Sequence, residues 1–332
     1  PKVRFDEKLI DKAISGIQDA FKNSLFHMHI FSGVYDIEDV NERVSIMCDK
    51  ANFAIKTLNE NYARSIAYYN DTILNNTILE KQLVGDFDQA LKEKQFCMYL
   101  QPQMTSEGKM LGAEALVRWQ HPKRGLIFPG DFIEIFERTG LIYRLDRFIW
   151  ELAVQQLAKW QKEGRDELYI SVNISTKDFQ YMDVYLTITS LVERYGIIPS
   201  TLKLEITETA IMMGNAGELE TIGRFRNYGF EVEIDDFGSG YSSLNTLKDI
   251  DVDVLKIDMG FLRTTRSERL ERSMSILNMI ISLSKVLGLS VVTEGVETKE
   301  QVSRLSQMGC GVYQGYYFSK PIPVHEFEER YM

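Results

Sequence analysis

Eight short, mostly apolar runs recur between residues 97 and 317, and long stretches of helical periodicity separate most of them. The runs occupy 97–103, 111–119, 168–175, 202–208, 231–237, 252–258, 289–295 and 311–317. Segments such as LDRFIWELAVQQLAKWQKEG and ERSMSILNMIISLSKVLG fill the intervals. Strand and helix alternating eight times over about 250 residues is the pattern of a TIM-like (β/α)8 barrel, an α/β fold. One interval breaks the pattern. Only MTSEGKM separates the first two runs. A parallel pair needs a crossover of about a dozen residues or more. The spacing therefore predicts an antiparallel first strand.

Residues 1–75 form a shorter region, and the barrel is expected over 78–332. FDEKLIDKAISGIQDAFKN and VNERVSIMCDKANFAIKTLNEN have helical periodicity, whereas HMHIFSGVYDI and SIAYYND read as strands. So few elements make a small α+β fragment with little to bury. The polar stretch NDTILNN, 70–76, reads as a linker before the helix ILEKQLVGDFDQALKEK.

Charge and cysteine usage exclude several functions. The net charge of −10 argues against DNA or RNA binding, which needs a basic face. Cys48, Cys97 and Cys310 are far apart and read as isolated thiols in a reducing compartment. His27 and His29 read as strand decoration, and His121 and His325 stand alone, so a His/Cys zinc site is not expected. No run approaches a membrane span of about 20 apolar residues. The expectation is a cytoplasmic chain, or the cytoplasmic part of a longer, membrane-anchored protein.

Each strand run carries polar residues: Gln101, Glu114, Asn173, Glu205, Asp235 with Asp236, Lys256 with Asp258, Glu294 and Gln314. In a (β/α)8 barrel the C-terminal strand ends converge on one face, where active sites lie. Gln101, on the reversed strand, must instead reach inward from mid-strand. Any one acidic strand end can cap a helix, but one polar group from every strand asks for a shared site. Glu114, Glu205, Asp235, Asp236 and Glu294 would repel at close range unless a countercharge were present. Oxygen donors with one Asn carbonyl suit hard cations such as Mg²⁺, Mn²⁺ or Ca²⁺. Adjacent Asp side chains can serve two ions about 4 Å apart, the usual clamp for attack on a phosphoryl group. The following DFGSGYSSL offers a glycine turn that can close near them. Lys256, ending a buried strand, needs an anionic partner, and these carboxylates supply it.

The ordered motifs GAEALVRWQHP, VNIS, LEITE, IDDFGSGYSSL, LKID, TEGVET and QGYYFSKP carry a family resemblance. Together they resemble the EAL domain, whose members hydrolyse the bacterial second messenger cyclic di-GMP to linear pGpG with two Mg²⁺ or Mn²⁺ ions. The resemblance implies that Glu114, Asn173, Glu205 and Asp235 hold one ion and that Asp235 and Asp236 hold the second. It implies that Lys256 positions the attacking water and that Glu294 is either general base or second-ion ligand. Gln101, Leu116, Arg118, Asp258 and Gln314 would hold the dinucleotide, with Arg118 on a phosphate. Glu208, Gly238, Gly240 and Glu297 would support the glycine loop. It further implies a homodimer and inhibition by Ca²⁺. Thr293, the FERTGLI segment, Met259 and Gly260 depart from the common pattern without removing a ligand. Residues 1–72 resemble the C-terminal part of a GGDEF domain, the diguanylate cyclase fold, but no GGDEF motif occurs, so cyclase activity is not expected. The rival reading is a non-catalytic cyclic di-GMP receptor of the same fold. A barrel enzyme using Mg²⁺ on an enolate has the right ligand types but leaves the ordered motifs unexplained.

Overall fold

The structure is a computed structural model and describes residues 7–21, 30–58, 65–238, 251–258 and 267–332. His27, His29, Gly240, Met259, Gly260 and most of the glycine loop lie outside the described residues. The chain divides into two compact units, 1–85 and 86–332.

In the first unit, β1 (Ser32–Val34) and β2 (Ile66–Tyr68) pair in parallel, Ser32 opposite Ile66. The helix Val44–Lys56 crosses β1 so closely that a Cβ on Gly33 would lie 1.9 Å from the Ala51 carbonyl oxygen. Only glycine permits that approach. Ala54, Leu58 and Ala67 form a small core against Phe31 and Tyr69. The stretch 70–76 corrects the linker reading. From Asp71 onward it is the start of the helix Asp71–Lys92. Asn70 explains the difference, since its side chain accepts the Ile73 N–H at 3.0 Å and so starts the helix one residue later.

The second unit is a closed barrel. Its strands are β3 (Phe96–Met104), β4 (Met110–His121), β6 (Tyr169–Ile174), β7 (Leu202–Thr207), β8 (Glu231–Phe237), β9 (Val254–Asp258), β10 (Ser290–Glu294) and β11 (Val312–Tyr313). Neighbours from β4 through β6 to β11 pair in parallel, while β3 is antiparallel to both β4 and β11. The short 105–109 connection makes this possible as a hairpin, with the Thr105 N–H donating to the Lys109 carbonyl at 2.9 Å. Two small strands were not anticipated: β5 (Gly125–Ile127) pairs with β4, and β12 (Ile322–Pro323) pairs with β3. The run 311–317 yields only a two-residue strand before the chain turns at Gly315.

Crossover helices begin and end where the sequence supplies caps. Asn215 with Glu218 and Thr298 with Gln301 form capping boxes, and Gly229 and Gly309 close those helices in the left-handed region. Helix Ile142–Lys162 turns Leu145, Ile149, Ala153, Val154 and Leu157 inward, the spacing of a single buried face. Near the start of β3, Phe96, Trp119, Phe132 and Phe136 pack ring against ring, with Trp119 and Phe96 centroids 4.8 Å apart. Trp119 is fully buried, and its indole N–H donates to Gln95 Oε1 at 3.0 Å. Among the described residues, no helix is long and apolar enough to cross a membrane.

Replacing Trp119 with Ala removes the largest side chain of that cluster. The expected loss is about 3–5 kcal/mol of unfolding free energy by urea denaturation. Leu219→Ala, on an exposed helix face, is expected to stay within about 0.5 kcal/mol.

Candidate active site

Strand register brings the polar residues to one level. Gln101 lies opposite Glu114 across the antiparallel β3–β4 pair, Asn173 opposite Glu205, and Asp258 opposite Glu294. At the centre is Lys256, fully buried on β9. Its ammonium is 2.5 Å from Glu294 Oε1, 2.6 Å from Glu205 Oε2, 3.2 Å from Asp235 Oδ1 and 3.7 Å from Glu114 Oε2. Asn173 Nδ2 donates to the other Glu114 oxygen at 3.1 Å, and the Asn173 carbonyl accepts the Trp150 indole N–H at 2.9 Å.

Four carboxylates around one ammonium leave an excess of negative charge, and the titration behaviour reflects it. Burial alone would lower the Lys256 pKa, but Glu114, Glu205, Glu294 and Asp235 hold it well above its ordinary value. Burial and then Glu114 push Glu205 well above the carboxylate range, against the pull of Lys256. Glu294 is pushed by burial up to about 8, with Lys256 opposing and Glu114 and Asp235 adding to the rise. Asp236 is raised by burial and by its neighbours Asp235 and Asp258. Glu205 Oε1 is buried with no hydrogen-bond partner.

The two adjacent Asp side chains sit at a β-bulge. The β8–β9 register shifts between Ile234 and Phe237. Asp236 has φ 56°, in the left-handed region, and its N–H donates to Asp235 Oδ1 at 2.9 Å. A bulge breaks strict alternation and re-aims a side chain, so consecutive residues can serve one site. Asp236 borders two cavities. One, of about 250 Å³, is lined by Gln101, Asp258, Glu294, Glu297, Gln314 and Tyr316. The other, of about 290 Å³, is lined by Leu116, Asn173, Asp235 and the apolar Pro129, Ile133, Ile149 and Trp150.

The remaining expected residues divide. Gln101 Nε2 donates to the Ser319 carbonyl at 3.1 Å, and Gln314 Nε2 donates both to Gln101 Oε1, at 3.2 Å, and to Glu114. The Gly238 N–H donates to Glu208 Oε2 at 3.1 Å, which ties the start of the glycine loop to the end of β7. Arg118 lines neither cavity. It donates to the Val117 carbonyl and lies between the Tyr99 and Phe128 rings.

Some polar groups escaped the sequence reading. Asp146 and Ser175 line the larger cavity, together with Glu137, the acid kept in the FERTGLI segment noted above. Asp178, completely buried behind them, accepts the Ser175 N–H at 2.7 Å. Burial and then Asp178 raise Asp146 well above the carboxylate range, and burial raises Asp178 to about 7. Inside the barrel, Gln103, Tyr169, Lys203 and Glu233 form a further polar layer. A signal for that layer existed in Gln101/Gln103, Lys203/Glu205 and Glu233/Asp235, polar residues spaced by two on single strands.

Among the described residues, no three His, Cys, Asp or Glu side chains stand as a ready-made cation cage, because the carboxylates converge on Lys256. The donor chemistry nonetheless fits a hard cation. It is all oxygen, it carries more negative charge than one lysine balances, and it includes the unpartnered Glu205 Oε1.

A family model described as EAL domain matches residues 84–321. The bifunctional diguanylate cyclase/cyclic di-GMP phosphodiesterase MucR of Pseudomonas aeruginosa is 34% identical over 78% of the chain and 38% of the relative. Cyclic di-GMP phosphodiesterase PdeR of Escherichia coli is 35% identical over 73% of the chain and 36% of the relative. The chain thus spans somewhat over a third of the length of these curated relatives. The solved structure of PaMucR phosphodiesterase in complex with c-di-GMP superposes with a TM-score of 0.70 at 35% identity, covering 74% of this chain and 99% of that one.

A carboxyl group whose folded pKa is raised contributes stability below its unfolded pKa and loses it as pH climbs through the folded value. Glu294 at about 8 and Asp178 at about 7 act in the same direction. In EDTA the unfolding temperature is therefore expected to fall between about pH 5 and pH 8. Differential scanning calorimetry across that window checks it, and a flat or rising profile contradicts it.

Proposed function

The chain belongs to the EAL domain family, and from that premise we propose that it hydrolyses cyclic di-GMP to linear pGpG. The observation that carries the reading is the group of four carboxylates around the buried Lys256 at the barrel mouth. Glu114, Asn173, Glu205, Asp235 and Asp236 are the residues to hold two divalent cations, Mg²⁺ or Mn²⁺. Such a pair, when bound, withdraws charge from a phosphodiester and acidifies water.

The protein's own groups do the rest. Water attacks phosphorus, the bond to the 3′ oxygen breaks, and the products carry a 5′ phosphate and a 3′ hydroxyl. Lys256, whose three N–H donors face Glu205, Glu294 and Asp235, can turn one of them to the attacking water. Glu294, whose carboxyl burial raises above the ordinary range with Lys256 opposing, takes the proton from that water. Its alternative role is as an oxygen donor to the second cation. Gln101, Asp258 and Gln314 border one cavity and Leu116 the other, so the two together offer room on both sides of the Asp235–Asp236 bulge for a two-base ligand. Arg118 is assigned to a phosphate by the resemblance, and its guanidinium lies over the Tyr99 and Phe128 rings outside both cavities. Glu208, through Gly238, supports the start of the glycine loop that in sequence also contains Gly240, and Glu297, assigned to the same support, lines the smaller cavity.

A second reading, a cyclic di-GMP receptor without turnover, is favoured by one feature, the closure of the carboxylates on Lys256 instead of around a common cation point. Incubation of the purified chain with cyclic di-GMP and Mn²⁺ or Mg²⁺, followed by chromatography, separates the two. The expected outcome is linear pGpG, abolished by EDTA and reduced at least about a thousandfold by Glu114→Ala. Saturable binding without product selects the receptor.

A further inference from the structure

A line of hydrogen bonds runs down the barrel interior from Glu114 to a residue that the chemistry above leaves unused. Gln314 Nε2 donates to Glu114 Oε2, Gln103 Nε2 donates to Gln314 Oε1 at 2.9 Å, and the Tyr169 hydroxyl donates to Gln103 Oε1 at 2.6 Å. Gln103 is completely buried and Gln314 nearly so. Tyr169 is firmly seated. Its ring lies over Gly112, where a Cβ would come within 2.5 Å, and the Lys203 ammonium stands 3.9 Å from the ring centroid. Lys203 is itself held by Glu231 at 2.9 Å and Glu233 at 3.2 Å.

The direction of this line is dictated at one end. An ionised carboxylate only accepts, so Gln314 must present its NH₂ to Glu114 and its carbonyl to Gln103. Gln103 must then present its own carbonyl to Tyr169, whose hydroxyl is the terminal donor. Without that donor a buried carbonyl oxygen is left unsatisfied, which is unfavourable. Turning the Gln103 amide over sets carbonyl against carbonyl at Gln314. Turning Gln314 as well sets its carbonyl against the Glu114 carboxylate.

We propose that Tyr169 is a positioning residue for Glu114, acting through Gln103 and Gln314 to keep an amide donor on the carboxylate. The inference rests on the reading of Glu114 as a cation ligand. Removing a hydrogen-bond partner that orients a ligand side chain typically weakens metal binding about 10- to 100-fold.

The test is Tyr169→Phe, read by calorimetric titration with Mn²⁺ and by steady-state turnover of cyclic di-GMP. Mn²⁺ affinity is expected to fall about tenfold. In turnover, kcat is expected to fall while KM for cyclic di-GMP holds. Gln103→Ala should reproduce the loss, and it carries the test by itself if the tyrosine variant does not fold. The double variant should lose no more than Gln103→Ala alone, because both act through one line of contacts. Mn²⁺ affinity equal to the parent, or losses that add, overturns the proposal. A parent that binds Mn²⁺ without cleaving removes the phosphodiesterase reading while the affinity arms still judge Tyr169. A parent that does not bind Mn²⁺ overturns both.

Discussion

One buried ammonium holds the barrel mouth together. Lys256 draws in side chains from β4, β7, β8 and β10, strands whose sequence positions span 180 residues. Deep burial of a lone lysine or a lone glutamate is strongly unfavourable, so each group is tolerable only because the others are present. The balance is incomplete, since four acids face one base, and the deficit is met by protons or by added cations. The site is thereby tuned to respond to positive charge. The parallel strands that deliver these groups, with helices covering their outer faces, form the scaffold for that meeting.

Beneath the mouth the interior is not a greasy filling. Gln103, Ser171, Lys203 and Glu233 are all buried there. Lys203 lies between Glu231 and Glu233, a second ion pair one layer below the first. Hydrophobic packing is pushed outward, to the shell between strands and helices, where Ile170, Val172, Leu202, Leu204 and Val232 alternate with the inward polar residues. The barrel thus separates its two tasks by the pleat: in β6, β7 and β8 one face supplies cohesion and the other carries polar groups.

Much of this was legible in the sequence, for physical reasons. Strand and helix periodicities differ sharply, so the alternation and the reversed β3 follow from the run lengths and from the brevity of MTSEGKM. The strand-end acids were legible because a polar group recurs on every strand run, which unrelated helix caps would not explain. What stayed hidden depends on contacts between distant residues. The bulge at Asp236 has no composition signature, because Asp accepts the left-handed region without the marker that glycine would give. Asp146 and Asp178 lie on helices, where an acid looks like a solvated face until a partner helix buries it. NDTILNN looked like a linker because its polar residues outweigh its apolar ones locally, whereas the Asn70 cap commits it to a helix.

The reversed strand also sets an order of assembly. β3 is made early, yet one of its edges is completed only by Tyr313 and Ile322, which pair with Met104 and Leu100. Loop closure across more than 200 residues is slow, and an open edge on an apolar strand invites pairing with other chains. During synthesis on the ribosome, that edge stays uncovered until almost the whole barrel has emerged. The stretch from Tyr313 to Ile322 therefore acts as a latch, and truncation before Tyr313 would leave a sticky, unsealed sheet.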